Sequence, residues 1–161
     1  MLAACTTLPP PESSSAILSG RLAVRVDSRP PHAFSADFEL RGDARTGSLR
    51  LTGPLGTTAA EARWSPGQTR LDTPQGSSAY ASLEELTAAT LGEPIPLAAL
   101  FDWLRGRPWP DAPSATAADS AAAFEQLGWR IDLSRRAEGW IEARRQAPPA
   151  VTVRAWLEPP T

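Results

Sequence analysis

Few side chains in this 161-residue sequence could do covalent or proton-transfer chemistry: one histidine, His32, one cysteine, Cys5, the adjacent carboxylates Glu84 and Glu85, and the arginine pairs Arg135-Arg136 and Arg144-Arg145. A hydrolytic triad needs a nucleophile, a base and an orienting carboxylate, and a histidine-based metal centre needs several imidazoles at ligand spacing. One histidine cannot supply these, and His32 follows Pro30-Pro31 in a stretch that reads as a turn, so a surface position is expected for it rather than a general-base role. Glu84 and Glu85 fall at a helix start, where the helix dipole favours solvated carboxylates over paired acid-base work. The arginine pairs read as solvated strand faces, with contact to an acidic partner as the alternative. No catalytic residue, cofactor or metal is expected, and an enzyme is not indicated.

Cys5 follows Leu2-Ala3-Ala4 and precedes a Pro/Ser/Thr-rich run over residues 6–15; with no second cysteine, an intrachain disulfide is impossible. Leu-Ala-Ala-Cys resembles a bacterial lipobox, whose cysteine is lipidated and becomes the first mature residue. The alternative is a free thiol near a frayed terminus. Each buried methylene contributes about 0.8 kcal/mol, so several acyl chains on Cys5 would give lasting membrane attachment. An export signal has a core of roughly 7 to 15 apolar residues, whereas only residues 1–4 precede Cys5, so the true precursor start is expected upstream. The following residue is Thr6 rather than aspartate, which by resemblance to lipoprotein sorting rules implies the outer membrane, facing the periplasm. Residues 1–18 are therefore expected to form a lipobox remnant and tether, and residues 19–161 a single domain.

The elements that must position any site are mostly strands. Apolar residues recur at every second position in Leu22, Val24, Val26, in Phe34, Ala36, Phe38, Leu40, in Leu49, Leu51, in Ala60, Ala62, Trp64, and around Thr69 and Leu71. Pro, Gly and Asp fill the gaps, giving turns between antiparallel neighbours. Ser82 with Glu85 makes a capping box for a short helix carrying Leu83, Leu86 and Leu91 and ending by Gly92. A second helix follows Pro94-Ile95-Pro96, with Leu97, Leu100, Phe101 and Leu104 on one face, Trp103 on its flank and Gly106 as its stop. Residues 108–118 read as a loop, after which alternation resumes through Trp129, Ile131, Leu133, then Trp140 and Ile141, then Val151, Val153, Ala155. The expected fold is mainly β with a few short helices: an antiparallel sheet curled into an incomplete, half-open barrel, with the helices covering its open side. No window reaches the roughly 18 apolar residues of a spanning helix. All 16 basic residues are arginine against 18 acidic ones, without a basic stripe, which argues against nucleic acid as a partner.

Three segments together resemble the LolB family of outer-membrane lipoprotein receptors. They are Gly20-Arg21-Leu22-Ala23-Val24, Leu49-Arg50-Leu51-Thr52-Gly53-Pro54-Leu55-Gly56-Thr57, and Pro94-Ile95-Pro96-Leu97 through Trp103-Leu104-Arg105-Gly106, with weaker support from Gln126-Leu127-Gly128-Trp129-Arg130-Ile131. The likeness spans about residues 19 to 157 and lies in the order and spacing of the pieces. It implies a monomer that takes acylated lipoproteins from a LolA-like periplasmic carrier into an apolar cavity and releases them into outer-membrane lipid. One departure is the short stretch between Cys5 and the first strand, which leaves little room for the N-terminal helix expected in this family and would remove part of a lid.

The cavity walls implied are Leu22, Val24, Phe34, Phe38, Leu51, Trp64, Leu97, Leu100, Leu104, Trp129 and Ile131. Alternation alone predicts only an apolar interior, and a solid core holding a structural or interaction lipoprotein together fits it equally. Leu55, between Pro54 and Gly56, places a bulky apolar residue at a turn tip where polar residues normally sit. The residues alone allow it to protrude or to fold back on the core; the resemblance assigns the Pro54-Leu55-Gly56 loop to membrane insertion of cargo.

Overall fold

In the computed structural model residues 17–160 are described. Cys5 and most of the tether lie outside the described residues. Strands β1 (Leu18–Val26), β2 (His32–Gly42), β3 (Gly47–Thr52), β4 (Thr58–Ser65), β5 (Gln68–Thr73) and β6 (Gly76–Tyr80) precede helices α1 (Leu83–Leu91) and α2 (Leu97–Leu104). Then come β7 (Ser114–Thr116), β8 (Ala123–Gln126), β9 (Trp129–Asp132), a 3-10 turn (Arg136–Glu138), β10 (Trp140–Arg145) and β11 (Val151–Leu157).

All the strands join one antiparallel sheet in the order β6-β5-β4-β3-β2-β1-β11-β10-β9-β8-β7. The last strand returns beside the first, with Val24 opposite Val153 and Leu22 opposite Ala155. Strands β6 and β7 are the two edges and are not paired with each other, so the sheet is an open barrel, as expected. Leu22, Val24, Val26, Phe38, Leu40, Ala62, Trp64, Ile131 and Val153 all turn into one buried core, while the intervening Arg21, Arg25, Arg63 and Arg154 stay exposed.

The antiparallel order fixes which turns share an end of the sheet. The β1–β2, β3–β4, β5–β6, β8–β9 and β10–β11 turns lie at one end, and β2–β3, β4–β5 and the β9–β10 crossing at the other. Helix α1 follows β6 inward and α2 returns, so their link, residues 92–96, sits at the first end. There Arg145 Nη2 donates to Glu93 Oε2 at 2.7 Å and to the Pro149 carbonyl at 2.9 Å.

The capping box forms: Ser82 Oγ accepts from the Glu85 amide at 3.1 Å, and Glu85 Oε2 accepts from the Ala81 amide at 2.7 Å. Gly92 ends α1 with φ 78, its amide donating to the Ala88 carbonyl at 3.0 Å. Helix α2 differs from expectation in one respect. Trp103, placed on its flank by the spacing, is fully buried at 0% exposure. Its indole can be buried because Nε1 donates to Gln126 Oε1 at 2.8 Å.

Three strands lack the expected signal. β6 is exposed at every residue but Tyr80, and β7 at every residue, so neither has an apolar face to alternate. β7 lies within the segment read as a loop. β8 alternates around exposed Glu125, but one of its inward residues is the polar Gln126.

Candidate functional site

A cavity of about 300 Å³ lies between the inner face of β1–β5 and the two helices. Binding pockets for small ligands run from about 300 to 1,000 Å³, so the space is real but at the small end. Of the anticipated wall residues, Leu22, Val24, Phe34, Leu51, Leu97 and Leu100 line it. Phe38, Trp64 and Leu104 sit lower, around a void of only about 20 Å³, and form its floor. There the Trp64 and Phe101 rings meet edge-on at 5.0 Å, and Trp64 Nε1 donates to the Asp43 carbonyl at 2.9 Å. Trp129 and Ile131 are placed elsewhere. Both are buried on the β8–β10 side, where the Trp103 and Trp129 rings stand 6.0 Å apart, and neither lines the cavity. The cause is the size of what faces them: Trp103 fills that side.

Among the described residues lining the cavity none is ionisable, and the polar ones are three threonines. Each threonine hydroxyl is already engaged with backbone. Thr87 Oγ1 donates to the Glu84 carbonyl at 3.0 Å and accepts from the Ile95 amide at 2.8 Å; Thr90 Oγ1 donates to the Leu86 carbonyl at 2.8 Å; Thr73 Oγ1 donates to the Gly76 carbonyl at 3.3 Å. An uncompensated polar group facing a hydrocarbon would cost on the order of 1 to 3 kcal/mol. With these hydroxyls bonded, the wall offers an apolar ligand no such penalty.

Leu55 protrudes, 90% exposed. The Gly56 amide closes a tight turn on the Gly53 carbonyl at 3.0 Å, and the Gly53 amide donates to the Thr57 carbonyl at 2.9 Å. Gly56 holds φ 76, the left-handed value that lets the chain re-enter β4 directly. Folding back on the core is thereby excluded. The loop lies at the end of the sheet where Leu51 and Ala60, cross-strand partners near the turn, enter the cavity wall half-buried, as do Phe34 and Thr73.

A family model described as outer membrane lipoprotein LolB matches residues 16–155. This chain belongs to the LolB family. It is 36% identical over 146 residues to the Outer-membrane lipoprotein LolB of Bordetella petrii, covering 84% of this chain and 73% of that protein. The LolB of Halorhodospira halophila is 35% identical over 130 residues, covering 78% of this chain and 61% of that protein. That of Pseudomonas fluorescens is 40% identical over 90 residues, covering 53% of this chain and 44% of that protein.

Several wall residues of this LolB-family chain were not singled out from its sequence. Leu49, Ala62, Leu71 and Val153 belonged to the inward alternation and could have been. Ala60 and Thr90 gave a subtler signal: small residues facing a wall of leucines leave volume behind. His32, Glu84 and Glu85 are exposed, as expected, and none borders the cavity. The charged groups of the outer face pair among themselves. Arg130 Nη1 donates to Asp119 Oδ1 at 2.6 Å and Arg41 Nε to Glu39 Oε1 at 2.7 Å, holding both carboxyls below their ordinary range.

Proposed function

We propose that this protein is lipid-anchored through Cys5 to the outer membrane, facing the periplasm, where it accepts the acyl chains of lipoproteins from a LolA-like carrier and releases the cargo into the bilayer. It acts as a monomer, and transfer is exchange between apolar sites, with no covalent step, nucleotide or cofactor. The observation that carries this reading is the cavity: an apolar wall whose every threonine hydroxyl is spent on backbone, reaching with Leu51 and Ala60 toward the end of the sheet where Leu55 protrudes. A structural lipoprotein with a solid interior, the rival reading, has no use for that space.

Titration of the purified protein with a fluorescent fatty acid tests it. Saturable binding competed by an acylated peptide is expected; absence of binding favours the scaffold. Leu55→Glu separates uptake from delivery. Because Leu55 is almost fully exposed, the variant is expected to keep its melting temperature, probe binding and acceptance from the carrier while releasing cargo into vesicles at least about tenfold more slowly, the effect of losing roughly 1.4 kcal/mol of apolar contact. Unchanged delivery would remove the loop from the mechanism.

A further inference from the structure

Among the described residues, Leu127 is the one non-glycine residue with positive φ, at 55°. It shares with Gly128, φ 78, the two-residue turn between β8 and β9, closed by the Gln126–Trp129 pair. Positive φ at both central positions defines a type I′ turn, whose first position favours Asn, Asp or Gly, because a bulky side chain crowds the left-handed backbone. Leu127 is also 47% exposed, so the strained residue recovers little by burial. The hairpin does not need a leucine there to set its register. Gln126, 2% exposed, is fixed by Trp103, Trp109 and Ala112, and Trp129 is buried at 3%. A conformational cost and an exposed apolar side chain, neither compensated within the molecule, point to compensation by a partner.

The topology says which way the turn faces. The β8–β9 turn lies at the same end of the sheet as the Leu55 loop. Counting strands, the two tips are about six strand spacings apart, on the order of 29 Å along the curved sheet. Each is a lone leucine on a turn, and they do not form one continuous patch. A protein partner buries a contiguous surface with a packed centre, whereas a fluid headgroup layer closes around each tip separately. Beside the turn, Arg130 and Arg144 border the open groove next to Leu127, but each already has a carboxylate partner, Asp119 at 2.6 Å and Glu142 at 2.9 Å, so the apolar tip rather than charge carries the contact.

We propose that Leu127 is a second membrane-contact residue, and that the β8–β9 turn seats in the boundary between headgroups and acyl chains of a phospholipid bilayer. The domain then stands on two apolar tips, with the cavity's end of the sheet turned to the lipid. This rests on the reading that Leu55 meets the membrane.

The test compares the full chain, expressed without acylation of Cys5, with Leu127→Asn, Leu127→Met and Leu55→Glu in the same form, in flotation with vesicles of phosphatidylethanolamine and phosphatidylglycerol. Asparagine suits the left-handed backbone, so Leu127→Asn is expected to fold and to raise Tm by about 2 to 4 °C, while lowering vesicle partitioning on the order of tenfold. Leu127→Met, strained but still apolar, retains binding. A purely structural role for Leu127 predicts the opposite, a lower Tm with unchanged partitioning, and that result overturns the proposal. So does unchanged vesicle binding joined to slower acceptance from the carrier, which would make the turn a protein contact. If Leu55→Glu reduces partitioning and Leu127→Asn does not, this inference falls while the Leu55 reading stands. If the unaltered chain shows no vesicle binding, both fall.

Discussion

On the β8–β10 side of the sheet, inward side chains gather around Trp103 of α2; on the β1–β5 side, which Val153 of β11 joins, the wall faces α1 as well, and there space remains. Both sides carry the same alternation, and both include inward alanines buried to a few per cent: Ala143 on β10 and Ala62 on β4. What differs is the size of what covers them. Trp103 of α2, 0% exposed, fills the first side, whereas the cavity is covered by Leu97 and Leu100 of α2 with Leu86, Thr87, Thr90 and Leu91 of α1. Interiors close to crystal density when large and small side chains are matched across the contact. Ala60 and Ala62 on the sheet and Thr87 and Thr90 on α1 line the same cavity; with small residues on both of its walls, a hollow is left. If the cavity takes acyl chains as proposed, stability and binding are carried by different sides of one sheet.

The sharpest way to break this comparison is to carve the packed half. Ile131 is 0% exposed, and Ile131→Ala should destabilise by about 2 to 5 kcal/mol, since its tightly filled surroundings cannot collapse into the space. Chemical denaturation measures it. A loss below about 1 kcal/mol would mean that this half is hollow too. Gln126 comes next. Its Oε1 accepts from the Trp103 indole at 2.8 Å and the Trp109 amide at 2.9 Å, and its Nε2 donates to the Trp109 and Ala112 carbonyls at 2.7 and 2.8 Å. Gln126→Ala strands the buried indole N–H, at a cost of about 1 to 3 kcal/mol. Because Gln126 also pins residues 109–112, hydrogen exchange in that segment should quicken while fatty-acid probe binding on the far side is retained.

The same contrast explains what was legible from the amino acids. Period-two alternation revealed β1–β5 and β9–β11 because each has one face in the core, and the capping box with Gly92 located α1. β6 and β7 were silent because edge strands with no buried face have nothing to alternate, and β8 because its inward Gln126 is polar. The cavity itself was legible only in kind. Ala62 and Ala143 both point inward, Ala143 two residues after Ile141, yet one borders the cavity and the other does not. Pattern specifies which way a side chain points; volume depends on which residue arrives from across the fold. For the same reason the sequence shows Trp129 and Ile131 pointing inward but not that Trp103 stands beside Trp129 on that side. Leu55 was visible as an anomaly in its turn, but its protrusion was decided by the hydrogen bonds that close residues 53–57.

Enlargement gives the smallest stability effect and the most discriminating one. Adding methylenes to a close-packed core usually costs about 1 to 3 kcal/mol because neighbours are forced off their rotamers. Ala143→Leu, buried on the filled side, should show that cost. Ala62→Leu adds the same atoms beside about 300 Å³ of empty space, so its cost should stay below about 1 kcal/mol, offset by new apolar contacts. Its effect should appear in function: the added side chain occupies volume an acyl chain would use, and fatty-acid affinity should fall at least about tenfold, the equivalent of roughly 1.4 kcal/mol lost from ligand contacts. Equal destabilisation by the two variants would show that the hollow half is as tightly packed as its counterpart. Unchanged affinity in a stable Ala62→Leu protein would move the acyl site away from this cavity altogether.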